Sequence, residues 1–214
     1  LYINPVNGYK ITEFYRDARV CDAHNKMDVK CCLERLREFH EMKLQVEHEF
    51  DLFAQIEFYE SLWQGTPSGY SDYAETKSRV FSLQQYINEY KEEYCLTHID
   101  AVPDNFLILS DGSVKLIDWE YAAMQDPHVD IAMFAIYSLY DKDQVDSLID
   151  IYFGGYCPKE IRIKIYCYIA VCGLLWSNWC EYKEKLGVKF CEYAYRQYQY
   201  AKDFFDIVQR NLIN

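Results

Sequence analysis

The sequence is short of positive charge, of glycine and proline, and of any long hydrophobic run. Lys and Arg number 22 against 34 Asp and Glu, a formal charge of −12. That balance excludes non-specific nucleic-acid binding, which needs clustered basic residues to neutralise phosphates, and it excludes attraction to an anionic membrane surface. It favours a cationic small molecule, or an anion carried in with metal ions. The nine cysteines include no C-x-x-C pair, so zinc-ribbon spacing is absent. Free thiols in a reducing cytoplasm are the simplest reading, and a cytoplasmic location is expected. Leu1 to Lys10 shows no basic flank followed by an apolar stretch, the mark of a secretory signal. The most apolar segment, Ile165 to Trp179, is short for a membrane span and carries Ser177 and Asn178, which suits a buried core helix. The sequence has no internal repeat and no low-complexity tract.

What it has instead is a packed-core composition, 50% hydrophobic and 26% charged, which excludes disorder. Aromatics are abundant: 21 Tyr, 12 Phe and 4 Trp against 8 Gly and 5 Pro. Leu1 to Asn4 and Tyr9 to Thr12 flank Pro5-Val6-Asn7-Gly8 and read as a β-hairpin, since Asn-Gly favours such a turn. Beyond Phe14 the spacing turns helical. Val29, Leu33, Leu36 and Phe39 share one face; Phe50, Phe53, Ile56 and Tyr59 share another; Val80, Leu83, Ile87 and Tyr90 mark a third helix. Short apolar runs at 95–98 and 106–109, the Asp111-Gly112 turn and the alternation over 113–117 predict a small hairpin among helices. Helices follow over 128–140, 145–153, from Pro158 at the first helical position to Tyr182, and from about Val188 to Leu212.

The unusual residues gather around that hairpin. His98-Ile99-Asp100 through Asn105 fits H-x-D-x-x-x-x-N, and Ile117-Asp118-Trp119-Glu120 follows thirteen residues on. The parts match a phosphoryl-transfer site: a loop Asp that takes the proton of an attacking hydroxyl, and an Asn and a later Asp whose oxygens suit Mg²⁺. A polar loop with Asx-turn residues is the alternative. His98 reads as a structural residue holding the loop rather than as a base.

At these residues the sequence resembles the choline/ethanolamine kinases, and most of all the bacterial choline kinases. These are enzymes of the aminoglycoside-phosphotransferase-like, protein-kinase-like fold. The resemblance runs through nearly the whole chain. Ile11 to Phe14 is similar to the hinge bordering the adenine site. Leu36-Arg37-Glu38-Phe39-His40 is similar to the end of the first large-lobe helix. Asp130 matches an acidic residue that fixes the catalytic loop, Trp176-Ser177-Asn178-Trp179 a W-x-x-W segment, and Tyr193-Ala194 the Y-A after it. The fold implied is α+β: a mostly helical C-terminal lobe of a protein-kinase-like fold with a short catalytic β-hairpin. Residues 1–14 would be the end of the small-lobe sheet and the hinge, and 15–214 the lobe with the catalytic loop and substrate pocket.

The resemblance implies ATP as co-substrate and Mg²⁺ as cofactor. Asp100 would be the base, Asn105 and Asp118 the Mg²⁺ ligands, and Glu120 a carboxylate supporting the metal. Glu13 and Phe14 would border the nucleotide, and His98 and Asp130 would hold the loop. Choline, or a related small amino alcohol, would sit among Tyr121, Tyr137, Trp176, Trp179 and Tyr193. A quaternary ammonium has no N–H to donate and is held by aromatic faces. By spacing alone, Trp at i and i+3 on an apolar helix equally reads as core packing. Tyr137 stands where some choline kinases carry Glu, which would favour choline over ethanolamine. A homodimer is compatible with the sequence; nucleic-acid and membrane partners are not expected.

One element of a kinase is missing from the sequence. None of the eight glycines forms a G-x-G-x-x-G loop, and the first residue is Leu. The expectation is a large lobe and hinge without the ATP-clamping lobe, weak or inactive in turnover by itself. Two readings compete with a choline kinase: an aminoglycoside or other small-alcohol phosphotransferase, and a non-catalytic quaternary-ammonium binding module. A purely structural protein is a poor third.

Overall fold

The computed structural model describes residues 2–4 and 6–213. Leu1 and Pro5, which the hairpin expectation included, lie outside the described residues. The rest of that hairpin is present: β1 (Tyr2–Ile3) pairs antiparallel with β2 (Lys10–Ile11), and Gly8 closes the turn at a φ of 72°.

Eight α-helices and seven short strands make up the described residues, as the α+β expectation has it. β3 (Arg19–Val20) is followed by α1 (Lys26–Glu41), whose N-cap Asn25 accepts the N–H groups of Met27 and Asp28. Asp51 caps α2 (Leu52–Ser61) in the same way. The single helix expected around Val80 is two, α3 (Tyr73–Ser82) and α4 (Gln84–Tyr90), meeting at Leu83. The apolar spacing continues across the break, so periodicity alone does not reveal it. β4 (Cys95–Thr97) leads into the candidate catalytic loop, and β5 (Phe106–Ile108) and β6 (Val114–Leu116) form the expected hairpin. Two pairings were not foreseen: β3 lies on the free edge of β5, and β7 (Ala123–Gln125) pairs with β4. Each strand has two or three residues, too few for an alternating pattern to register.

The core is helical. α5 (His128–Tyr137) packs against α7 (Lys159–Lys185), α6 (Lys142–Phe153) packs against α1 and α5, and α8 (Glu192–Ile213) runs along α7. Pro158 is the N-cap of α7 rather than its first helical residue. α7 is long and apolar enough to cross a bilayer by length and composition, yet 89% of its apolar window is buried in the protein, so it serves as the core helix. At Gly173 a Cβ would stand 2.7 Å from the Gln197 carbonyl oxygen and from Tyr200 Cβ, so the α7–α8 contact depends on that glycine. No disulfide links the nine cysteines, seven of which are buried.

Candidate active site

β4 and β7 bring the 98–105 loop and the 117–122 segment together at one end of the helical core. Asp130, fully buried on the first turn of α5, anchors the loop. Its two oxygens accept the backbone N–H groups of His98 (2.9 Å) and Ile99 (2.8 Å), and Oδ2 also accepts Nε2–H of His40 at 2.9 Å. The His98 ring reaches across the loop, donating from Nε2 to the Ile117 carbonyl at 2.8 Å. Trp119 then packs edge-on against both His98 and Phe39, with ring centroids 4.7 and 5.0 Å away. The H-x-D motif and the Ile-Asp-Trp segment are thereby fixed to one another and to the end of α1.

Asp100 follows on the loop. The side-chain amide of Asn105, set by a 3-10 turn over Pro103–Asn105, donates to the Asp100 carbonyl at 2.8 Å and to its carboxylate Oδ2 at 3.0 Å. Burial raises the pKa of Asp100 above the ordinary carboxylate range. The His98 ring and the Asn105 hydrogen bond oppose that rise, while the charges of Asp118 and Glu120 add to it. Asp118 is exposed, two residues past β6, at a φ of 60°, an uncommon conformation for a residue with a side chain. Asp118 and Glu120 are therefore close enough for Asp100 to feel their charge, with Asn105 beside Asp100.

A cavity of about 480 Å³ opens next to Asp100. Among the described residues, Asp100 and Glu120 are the two carboxylates on its lining, which includes no Lys, Arg or His. Six rings form a continuous wall: Tyr121, Trp176, Trp179, Phe190, Tyr193 and Tyr137, each 5.0–6.3 Å from the next by ring centroids. Trp176 and Trp179 come from α7, Tyr193 from α8, Tyr137 from the end of α5, and Tyr121 from the segment after Asp118. Val102, Met133 and Ile136 supply the aliphatic floor. The Tyr137 hydroxyl donates to Asp104 Oδ2 at 2.8 Å. Burial pushes the phenols of Tyr121 and Tyr137 up to about 12, so both stay neutral. The Trp179 ring already receives one cation, with Lys183 Nζ 5.3 Å from its centroid.

A model of the phosphotransferase enzyme family matches residues 32–166. The chain belongs to that family. Protein LicA of Haemophilus influenzae is 26% identical over an alignment of 208 positions that spans 89% of this phosphotransferase chain and 75% of the relative. A second LicA sequence from Haemophilus influenzae, also 26% identical, is spanned over 59% of its length. Among solved structures, the choline kinase LicA from Streptococcus pneumoniae is 28% identical with a TM-score of 0.78, over 91% of this chain and 69% of that one. A LicA structure in complex with AMP is 27% identical with a TM-score of 0.81, over 97% and 72%.

In this phosphotransferase Asp100 and Glu120 lie on the cavity lining with Tyr121, Tyr137, Trp176, Trp179 and Tyr193; Asn105 and Asp118 are off the lining, Asn105 bonded to Asp100 and Asp118 near enough for Asp100 to feel its charge. Glu13 and Phe14 are not drawn in. Both are exposed, Phe14 by 85%, and the Glu13 carboxylate accepts the Tyr15 hydroxyl at 2.8 Å. Tyr15 in turn faces Lys115 of β6, which ties this segment to the hairpin rather than to the cavity. Phe190, Met133 and Ile136 also line the cavity, and the sequence pattern does not mark them as site residues. Apolar spacing extends the last helix back over Phe190, but α8 starts at Glu192, and Phe190 lies in the preceding turn between Trp179 and Tyr193.

The donors around Asp100 are all oxygen, the chemistry Mg²⁺ accepts. Among the described residues no three or more His, Cys, Asp or Glu are grouped to hold an ion by themselves. Mg²⁺ here would draw on the Asn105 amide oxygen, one or two carboxylates, water and nucleotide phosphates, which is its usual mode of binding at phosphoryl-transfer sites. The residues present fit it on those terms.

Proposed function

We propose that this chain carries the acceptor site of a choline kinase, which transfers the γ-phosphoryl group of ATP to the hydroxyl of choline and yields phosphocholine. The observation that carries the proposal is the six-ring wall opening directly onto Asp100. A trimethylammonium group needs aromatic faces, each contributing about 0.5–2 kcal/mol. The alcohol at the other end of choline needs a base within reach.

Asp100 takes the hydroxyl proton. Its raised pKa suits a base, since a carboxylate well below its ordinary range holds a proton too weakly. Asn105 orients it by donating to Oδ2. Asn105 and Asp118, supported by Glu120, would hold Mg²⁺, which when bound would offset the negative charge of the nucleotide phosphates. His98 and Asp130 keep the loop in register. Residues 1–14 act as hinge and sheet edge, with Glu13 and Phe14 beside the adenine.

Phosphate clamping calls for a glycine-rich loop and a strand lysine. The 214 residues contain no such loop, and by themselves they transfer phosphate slowly. The choline site lies wholly within them. The buried thiols suit a reducing, cytoplasmic setting.

An aminoglycoside acceptor would call for a ring of carboxylates, and the cavity has two among aromatic and aliphatic groups. A non-catalytic binder would have no use for the Asp100–Asn105 pair.

The test is phosphate transfer from ATP with Mg²⁺, followed by ³¹P NMR with choline, ethanolamine and kanamycin as acceptors. Slow phosphocholine formation that disappears in Asp100→Asn is expected. Transfer to kanamycin with none to choline would overturn the proposal.

A further inference from the structure

We infer that Asp104 is a specificity-determining positioning residue, acting on the cation through Tyr137. This rests on the reading of the cavity as a quaternary-ammonium site. Tyr137 lines the cavity and meets Tyr193 edge-on, with centroids 6.2 Å apart at 68°. Its hydroxyl is not free: it donates to Asp104 Oδ2 at 2.8 Å. Asp104 itself is exposed, belongs to the Pro103–Asn105 turn and is not on the cavity lining.

The arrangement does two things. It fixes the orientation of the Tyr137 ring, which stands at the C-terminal end of α5 and is otherwise 38% exposed. It also sets a carboxylate behind an aromatic wall. The charge lies one ring away from the cation, where it attracts by Coulomb's law without offering its oxygens to an N–H donor. A quaternary ammonium gains that attraction and loses nothing, having no hydrogen to donate. A primary ammonium gains the same attraction but leaves its N–H groups facing ring carbons, which is costly once water is displaced. The Tyr137–Asp104 pair thus selects for methylated over unmethylated amines. It also couples cation recognition to the catalytic loop, because Asp104 lies between Asp100 and the Asn105 that orients it.

Isothermal titration calorimetry of the 214-residue chain tests this, with choline, ethanolamine and the uncharged choline isostere 3,3-dimethylbutan-1-ol as titrants. The variants are Asp104→Asn, Asp104→Glu, Tyr137→Phe and Asp104→Asn/Tyr137→Phe. Asp104→Asn keeps an acceptor for the phenol but removes the charge. It should weaken choline about three- to tenfold, as expected for a charge one ring away at intermediate screening, and shift the neutral isostere less than twofold. Asp104→Glu should restore choline binding to within twofold. Tyr137→Phe should narrow the choline-to-ethanolamine ratio, and the double variant should fall short of the product of the single effects. Choline affinity within twofold of wild type in Asp104→Asn overturns the inference, as does equal weakening of choline and its isostere, or a double variant whose losses multiply. If the wild type binds no quaternary ammonium at all, the underlying reading of the cavity fails instead.

Discussion

The Asp130 carboxylate accepts the backbone N–H of Ile99 at 2.8 Å, and Ile99 is held at a φ of 68°. A β-branched residue there is a genuine conformational outlier, and the buried carboxylate is what keeps it in place. The cost is met where it is useful, since the next residue is Asp100. Asp130→Asn would direct an amide NH₂ at one of the N–H groups of His98, Ile99 or His40 that now share the carboxylate. A loss of about 2–4 kcal/mol in unfolding free energy is expected, checked by urea denaturation, together with a larger fall in transfer rate than in choline affinity. A variant as stable as wild type would show that the loop holds its shape without this anchor.

Burial raises the pKa of Asp100 in the folded chain, so folding favours the protonated acid. Stability from this group is fully present below the unfolded carboxylate range and is lost as pH rises through the folded value. At neutral pH the buried charge is a standing cost. Asp100→Asn, measured in EDTA, should therefore melt at a higher temperature than wild type at pH 7, with the gap closing toward pH 4, while transfer is abolished. A lower melting temperature at pH 7 would mean that the Asn105 hydrogen bond outweighs desolvation.

Gly173 ties the fold to the site. A methyl group there meets the Gln197 carbonyl and Tyr200 at 2.7 Å, pushing α8 away from α7, and these helices carry Tyr193 and the two tryptophans. Gly173→Ala should destabilise by about 1–3 kcal/mol and weaken choline binding as well. Gly69→Ala, whose Cβ would have open space around it, is the control and should leave the melting temperature within about a degree. Equal stability of the two variants would show that the helix pair tolerates separation.

The candidate catalytic constellation is legible because it is local: Asp100, Asn105 and Asp118 sit on one loop and one hairpin, so their spacing in sequence implies their proximity in space. Asp130 and His40 were recognised only through the family resemblance, since their hydrogen bonds span 31 and 90 residues. Phe190 had no usable signal. It sits in a non-helical turn among Val188, Lys189 and Cys191, and apolar spacing carried the helix start back across it. Met133 and Ile136 read as ordinary core positions, which they also are, on a helix buried along nearly its whole length. β3 and β7 were hidden for another reason: two- and three-residue strands are defined by partners far away in sequence rather than by their own pattern. The tyrosine excess divides accordingly. Tyr121, Tyr137 and Tyr193 face the cavity, whereas Tyr166, Tyr168 and Tyr198 are buried between helices.

The most direct measurement is calorimetric titration of choline into the wild-type chain and into Trp176→Ala. Trp176 lies between Tyr121 and Trp179 in the wall, edge-on to both. The account predicts saturable one-to-one binding by the wild type and about a tenfold loss in the variant, from a lost cation–π face and a gap in the wall. Choline binding of equal strength in both proteins, or none in the wild type, would contradict it.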